Sequence, residues 1–436
     1  MKRYERYKPS GIEWIGEIPE HWHIERVKWI FFETKEVSKE GNEELLSVSE
    51  YYGIARKKEM IGVDDILVRA NTLEGYKVVR KGDLVINIML AWKRGLGISD
   101  YDGIVSPAYC AYRLKKDYTP RYFHYLYRTD LYVSEFRRNS TGIIDSRLRM
   151  YSEDFFRIMS IIPPTNEQTS IANYLDRKTA QIDDLIAKKQ KLIDLLNEEK
   201  TVIINQAVTK GLDPNTPTKD SGIPLLGEMP KHWDAKKLKY VSVIKSSNVD
   251  KKSYDDEKKV LLCNYLDVYK HEFIDNSFSF MEATANENEI AKFSIKKGDV
   301  LVTKDSETPD DIASPAYIKE DLENVICGYH LAQIRANNIE IIGEYLFRLF
   351  QTKKLNSHFE VSANGVTRFG LSVDSFEQVL ILLPPIKEQS DIIRHIQTEI
   401  EKIDATVSKV EKEIELLQEY RTALISEAVT GKIKVS

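Results

Sequence analysis

The feature that most constrains this chain is a helical pattern of roughly forty residues that occurs twice. Ile161-Ile162-Pro163-Pro164-Thr165-Asn166-Glu167-Gln168 opens the first copy, and Leu382-Leu383-Pro384-Pro385-Ile386-Lys387-Glu388-Gln389 opens the second. The copies close on Ala207-Val208-Thr209 and Ala428-Val429-Thr430. The prolines are 384 − 163 = 221 residues apart and the alanines 428 − 207 = 221, so the stretch repeats without a gap. Each half of the chain therefore ends in the same element.

Within the first copy, Ile171, Leu175, Ile182, Leu185, Leu192, Leu196 and Ile203 fall on a 4-3 spacing, with Lys178, Lys189 and Glu199 between them. The second copy does the same with Ile392, Ile396, Ile403, Val410, Leu417 and Leu424, and Val407 and Ile414 widen the stripe. A sustained 3.5-residue period with charged flanks predicts a coiled-coil seam. Thr165 with Gln168 predicts a capping box at the first start, which Ile386 removes from the second. Gly211 and Gly431 stand where a C′ glycine ends a helix. At 1.5 Å per residue each helix spans roughly 60 Å.

The stretches before the helices also match at their edges. Ser10-Gly11-Ile12-Glu13-Trp14-Ile15-Gly16-Glu17-Ile18-Pro19-Glu20-His21-Trp22 is echoed by Ser221-Gly222-Ile223-Pro224-Leu225-Leu226-Gly227-Glu228-Met229-Pro230-Lys231-His232-Trp233. A turn-rich lead-in whose Trp docks on the domain it introduces explains this motif. His21 and His23 are not a metal pair, because Asp234 replaces the second His in the echo. Lys81-Gly82-Asp83-Leu84-Val85-Ile86 matches Lys297-Gly298-Asp299-Val300-Leu301-Val302, a turn feeding a buried strand. Ser106-Pro107-Ala108-Tyr109 is paired with Ser314-Pro315-Ala316-Tyr317, and residues 120–129 and 343–351 read as amphipathic helices. Asn139-Ser140-Thr141-Gly142 and Ser362-Ala363-Asn364-Gly365 are small polar loops that suit close approach to a ligand. The middles differ: Ala91-Trp92-Lys93-Arg94-Gly95 has no partner in the second half.

The expected order is head, helix, head, helix: head domains at 1–165 and 212–386, spacer helices at 166–211 and 387–436. The fold class is α+β, with two similar α/β heads. If the helices pair, they run antiparallel and give the chain a pseudo-two-fold axis.

With 436 residues, two or three domains are expected. A formal net charge of −5 excludes a chain that binds nucleic acid by bulk basicity, so any basic face is local. Cys110, Cys263 and Cys327 lie far apart without CxxC spacing and read as buried thiols in a reducing compartment. The charged, tyrosine-rich start is not expected to be a signal peptide, and no apolar run is long enough to span a bilayer. The cytoplasm is the default location.

No catalytic constellation stands out. An Asp/Asn-Pro-Pro-Tyr/Phe amino-methyltransferase signature is missing, since Thr165 and Ile386 follow the proline pairs. No glycine-rich cofactor loop, GxxxxGK[ST] loop or HExxH helix is present. Asp305, Glu307, Asp310 and Asp311 could serve a metal-dependent nuclease, but a solvated acidic loop is the simpler reading. What remains is a surface. Head one has a basic tract (Arg113, Lys115, Lys116, Arg121, Arg128, Arg137, Arg138, Arg147, Arg149) interleaved with tyrosines 109, 112, 118, 122, 125, 127 and 132. Nucleic-acid binding needs cations for phosphates and planar donors for base edges. The DNA-binding candidates are Arg69, Asn71, Thr72, Lys93, Arg94, Tyr109, Thr141, Arg147 and Arg149 in head one. In head two they are Lys304, Ser306, Tyr329, His330, Asn364, Thr367 and Arg368.

The paired Gly-x-x-x-Gly-Glu-x-Pro-x-His-Trp entries, the paired Pro-Pro-x-x-Glu-Gln starts and the closing Ala-Val-Thr resemble the DNA specificity subunit of type I restriction-modification systems, over essentially the whole chain. The resemblance implies two target-recognition domains on an antiparallel helical spacer, reading a bipartite, asymmetric site in double-stranded DNA. It implies a non-catalytic chain without a cofactor of its own. Its partners would be two methyltransferase subunits, which carry S-adenosylmethionine, and restriction subunits, which use ATP and Mg. It also places partner docking on the outer faces of 167–208 and 388–429. A self-sufficient DNA methyltransferase or nuclease is the alternative, and a coiled-coil adaptor without DNA contact is a second.

Overall fold

The computed structural model describes residues 2–60, 72–222 and 227–435, and the chain folds as two compact units. The first is Met1–Lys189 with Glu411–Ser436, and the second is Gln190–Val410. The long helices are Thr165–Lys210 and Ile386–Val429, of 46 and 44 residues. At 1.5 Å per residue these are about 66–69 Å long. Ion pairs set their register. Asp183 pairs with Arg421 at 2.9 Å, Lys189 with Glu413, and Lys200 with Asp404. The partner numbers fall as the first helix advances (183 + 421 = 604, 189 + 413 = 602, 200 + 404 = 604), so the helices are antiparallel.

The contact face keeps most of the expected seam, since Ile171, Leu175 and Ile182 of the first helix and Ile392, Ile396, Ile403, Val410 and Leu424 of the second are buried. It departs from the heptad in the middle of the first helix. Ile171, Ile182, Ile193 and Ile204 are buried, each 11 residues after the last. Their counterparts Ile392 and Ile403 are buried and Ile414 and Ile425 half-buried, at the same 11-residue step. Leu185 and Leu192, placed in the seam by the 3.5 period, are 41% and 42% exposed. An 11-residue repeat means about 3.67 residues per turn, close to a straight α-helix, whereas a heptad row drifts about 20° per repeat around it. The drift carries Leu185 and Leu192 to the outside, while Leu175 stays buried and Leu196 half-buried. The expected capping box is also absent. Gln168 instead donates to the Pro163 carbonyl at 2.9 Å and accepts from the Thr119 amide at 3.0 Å. Gln389 repeats this with Pro384 and Ile342, each at 2.9 Å.

Each head is closed by its own ends. In head one, His23–Arg26 runs antiparallel to Met159–Ile162, the strand that leads into the proline pair. In head two, Asp234–Lys237 does so with Leu380–Leu383. Between them head one forms an antiparallel sheet in the order Phe31–Glu33, Tyr109–Leu114, Leu84–Asn87, Leu96–Ile98. Head two forms the order Ser242–Ser246, Leu331–Ala336, Asp299–Thr303, Pro315–Ile318, Phe273–Ile274, and adds a three-stranded sheet that shares a second core with it. The Lys-Gly-Asp strands are equivalent, as expected. The two Ser-Pro-Ala-Tyr stretches are not. Tyr109 begins the strand beside Asn87, whereas Tyr317 lies in the strand on the opposite side of the Lys-Gly-Asp strand. Four identical residues do not carry topology. Both amphipathic helices form, as Pro120–Tyr127 and Gly343–Phe350.

The lead-in motif and the helix-start motif meet in one clasp. In the first unit the Glu167 carboxylate lies 2.6 Å from His21 Nε2 and accepts from Trp22 Nε1 at 3.1 Å and from the Tyr4 hydroxyl at 2.8 Å. Burial alone would raise this carboxyl, but the bonds from His21, Tyr4 and Trp22 prevail and hold it below the usual range. In the second unit Glu388 takes His232 at 2.7 Å and Trp233 at 3.1 Å. The other helix ends against the same Trp. Gly431, at φ +77°, leaves no room for a Cβ, which would come 2.9 Å from the Trp22 ring. Gly211, at φ +75°, abuts Trp233. Tyr122 donates to the Val429 carbonyl at 3.0 Å, and Tyr345 to Val208 at 3.3 Å. Thus each unit joins a head, the start of one long helix and the end of the other.

One buried titratable group gives the first unit an acid sensitivity. Burial, then the charges of Arg121, Arg128 and Arg421, push the His124 imidazole well below its ordinary value, and its Nδ1 accepts from the Ile98 amide at 3.3 Å. The unfolded chain takes up this proton near pH 6.5 while the fold refuses it, so stability is lost as pH falls below about 6.5. Urea midpoints of the wild type are expected to drop between pH 7.5 and 5.5, and to drop less in His124→Gln.

Candidate nucleic-acid interface

Most of the basic tract is occupied inside the first unit. Arg113 grips buried Asp83 through two bonds of 2.8 Å. Arg121 pairs with Asp176 at 2.8 Å, Arg137 with Asp145 at 2.7 Å, and Arg138 with Glu135 at 3.1 Å. Arg128 donates to the carbonyls of Arg94, Leu96, Glu50 and Tyr51 at 2.7–2.9 Å. Tyr112, Tyr122, Tyr125, Tyr127 and Tyr132 are core residues. The interleaving reflects an aromatic interior tied down by arginines at its rim, not a ladder of phosphate contacts.

The remaining candidates gather around two loops in each head. The first is the connection that leaves the Lys-Gly-Asp strand. In head one it holds the 3-10 turn Ala91–Lys93 and in head two the 3-10 turn Pro309–Asp311. Each ends on a left-handed residue two positions before the next strand, Arg94 at φ 62° and Ala313 at φ 63°. The Trp-Lys-Arg loop therefore does have a counterpart, the acidic stretch of head two. One scaffold carries a basic connection in one head and an acidic one in the other. The second loop is the glycine hairpin. Thr141 and Arg149 exchange backbone bonds at 2.8 and 2.9 Å, and Asn364–Gly365 pairs with Phe369–Gly370. The hairpin is bonded to the connection in both heads: Met150 N donates to Ile88 O at 2.9 Å, and Leu371 N to Lys304 O at 2.8 Å.

In head one, Lys93 is exposed and lies over the Trp92 ring at 4.9 Å. Arg137 covers the same ring at 5.1 Å, which ties the connection to the hairpin residue Asp145. Arg94 is paired with Asp130 at the surface and donates to the Arg128 carbonyl, so its guanidinium is engaged within the head while partly exposed. Arg147 and Thr141 are exposed on the hairpin, and Arg149 donates to the Leu148 carbonyl at 2.8 Å. Tyr109 is half-buried, and burial raises its phenol. Thr72 is exposed and accepts from the Glu74 amide at 3.1 Å. Arg69 and Asn71 lie outside the described residues.

In head two the structure brings Lys304, Tyr329, His330 and Arg368 together. His330 Nδ1 lies 2.8 Å from Asp305 and 3.4 Å from Arg368 Nη2. One ring nitrogen cannot donate to the first and accept from the second. The shorter, carboxylate contact decides, so the proton sits on Nδ1 and Nε2 is left for another partner. Tyr329 stands edge-on to His330, with centroids 4.7 Å apart, and Lys304 lies 4.7 Å over the Tyr329 ring. Burial lowers the Lys304 ammonium, which donates to Ser246 and Ser247 at 2.8 and 2.9 Å. Asn364, Thr367 and Arg368 are exposed on the hairpin, whereas Ser306 is buried. Beside them a cleft of about 120 Å³ is lined by Asp250, Lys251, Asn264, Tyr265, Tyr329 and His330.

The type I restriction modification DNA specificity domain family model matches residues 230–416, which span most of the second head and most of the helix that follows it. The putative type I restriction enzyme MjaX specificity subunit of Methanocaldococcus jannaschii is 22% identical over 97% of this chain and 96% of its own length. The type I restriction enzyme EcoKI specificity subunit of Escherichia coli is 20% identical over 96% of this chain and 90% of its own. Residues 230–416 thus match the DNA specificity domain of type I restriction modification, and the chain is similar along its length to type I specificity subunits. Its fold agrees. A chain from a study of complex assembly and conformational transition of the type I R-M system superposes with a TM-score of 0.70 at 13% identity, over 95% of this chain and 99% of that one. The HsdS subunit from Thermoanaerobacter tengcongensis gives 0.53 at 15% identity, over 95% and 98%.

Two features of the heads escape sequence reasoning. Tyr265 and Tyr269 stack at 5.4 Å beside the acidic connection, and the Tyr269 hydroxyl donates to Asp311 at 2.7 Å. Their i, i+4 spacing in a short helix was the available signal. The other is the pair of apolar hairpin tips, Ile143 and Val366, which polar-residue searches pass over.

Proposed function

We propose that this chain is the DNA-reading, non-catalytic subunit of a type I modification complex. Each head reads one short word of a bipartite, asymmetric site in double-stranded DNA, and the paired helices hold the unread interval between the words. The observation that carries this is the shared scaffold with opposite loops: basic Trp92-Lys93-Arg94 in one head and acidic 305–311 in the other, each bonded to a glycine hairpin. Two surfaces of unlike charge on one frame suit two unlike words. The exposed arginines and lysines of the loops engage phosphates and base edges.

Two methyltransferase subunits are the partners, with restriction subunits joining in the full complex, in the cytosol. S-adenosylmethionine, ATP and Mg belong to those subunits. The outward leucine row of the first helix, Leu185, Leu192, Leu195 and Val202, is 41–59% exposed and suits a helix-packing partner. Leu192→Asp with Leu195→Asp is expected to weaken methyltransferase docking at least tenfold, or about 1.4 kcal/mol, while urea midpoints stay near wild type. Pull-down titration against the methyltransferase checks this.

The experiment that tests the reading is a footprint of the chain assembled with its methyltransferase. Two protected words with an unread interval support it, and one continuous block opposes it. The alternative, a self-sufficient DNA methyltransferase or nuclease, predicts turnover when the purified chain alone meets DNA with labelled S-adenosylmethionine or with magnesium.

A further inference from the structure

Ile143 and Val366 are more exposed than any other large apolar side chain among the described residues, at 98% and 92%. They occupy the same place. Each follows the hairpin glycine, Gly142 at φ +155° and Gly365 at φ +156°. Each glycine lies against the opposite arm of its hairpin: a Cβ on Gly142 would come 2.6 Å from the Arg147 carbonyl, and one on Gly365 would overlap the Arg368 carbonyl. The backbone is thus pinched into a narrow two-stranded ribbon whose tip is a β-branched aliphatic side chain in water. Solvent exposure of such a side chain brings the fold nothing, yet the arrangement recurs in two heads whose middles differ.

Around the tips the chemistry is cationic and polar. Arg147 and Thr141 flank Ile143, and Thr367 and Arg368 follow Val366, all exposed. The major groove admits a two-stranded β-ribbon, its rim is phosphate, and its one apolar feature is the thymine methyl. A short aliphatic tip between phosphate-binding arms fits that groove. We propose that Ile143 and Val366 are specificity-determining contacts, each set against a thymine methyl in the word that its head reads. This rests on the DNA-reading function above and names the residues and the base feature through which it acts.

The test uses the chain assembled with its methyltransferase partner and selection of bound duplexes from random DNA, for wild type, Ile143→Ala and Val366→Ala. Ile143→Ala is expected to relax base preference at one or two adjacent A·T positions of one word, and to lower affinity for the wild-type site about tenfold. Val366→Ala is expected to do the same in the other word only. Deoxyuridine in place of thymidine at those positions should weaken the wild-type complex and leave the matching variant unaffected. Unchanged selection profiles in both variants, or relaxation confined to G·C pairs, overturn the proposal. Weakened methyltransferase assembly with an unchanged profile also overturns it, because the tips then face protein. If the wild-type complex itself selects no sequence, the DNA-reading function has failed, and that outcome is distinct from failure of the tips. Both side chains are exposed, so urea midpoints of the variants are expected to match wild type.

Discussion

Replacing Trp22 with alanine is expected to destabilise the first unit by about 3–5 kcal/mol, the range for emptying a buried aromatic site. Trp22 is fully buried, stands edge-on to Tyr4 with centroids 5.6 Å apart, and donates to Glu167 at 3.1 Å. Its ring also backs the turn at Gly431, where the second long helix ends. The cavity therefore opens between three segments that no local interaction holds together. Hydrogen exchange should report this as a joint loss of protection over 171–175 and 424–429. Trp22→Phe keeps most of the volume and loses the bond to Glu167, so it should cost no more than about 2 kcal/mol. Equal effects of the two substitutions would show that the hydrogen bond, not the packing, holds the clasp.

Arg335→Ala is expected to cost the second unit about 3 kcal/mol, the lower end of the range for breaking a buried pair. Asp299 is fully buried and receives two bonds from Arg335, at 2.6 and 2.7 Å, with a third from Gln333 at 2.7 Å. Removing the guanidinium leaves a buried carboxylate without its counter-charge, held only by Gln333 and by the Lys296 amide at 2.8 Å. A third of the Arg335 side chain is exposed, so water reaches the site and the loss stays below the upper end. Adding Asp299→Asn should recover part of the stability, since the neutral amide needs no counter-charge. Urea denaturation of the single and double variants measures both effects. An additive double variant would exclude the pair as the cause.

The architecture was legible because the repeat is gapless: the 221-residue offset alone requires two heads and two helices. The partners of each motif were not legible. His21 and Trp22 meet Glu167 across some 145 residues, so the lead-in and the helix start looked like separate signatures. The seam was legible over most of the second helix and misplaced at Leu185 and Leu192 of the first, because two apolar rows share that helix and sequence does not say which faces the partner helix. Leu185 and Leu192 lie on the outward row, and Ile182 and Ile193 on the inward one. The basic tract misled for a similar reason. Arg113 reads as a free cation until Asp83, thirty residues earlier, is found beside it in the sheet. The matched connections stayed hidden because they share only a backbone turn, Arg94 and Ala313 in left-handed conformation, and no residue type.

The central claim, that two unlike heads read two words, is tested most directly by selection of duplexes from random DNA with the chain and its proposed methyltransferase partner. Enrichment of two different short words at a fixed interval of indifferent sequence is the predicted result. Enrichment of one uninterrupted word, or of two identical words in a palindrome, would contradict it.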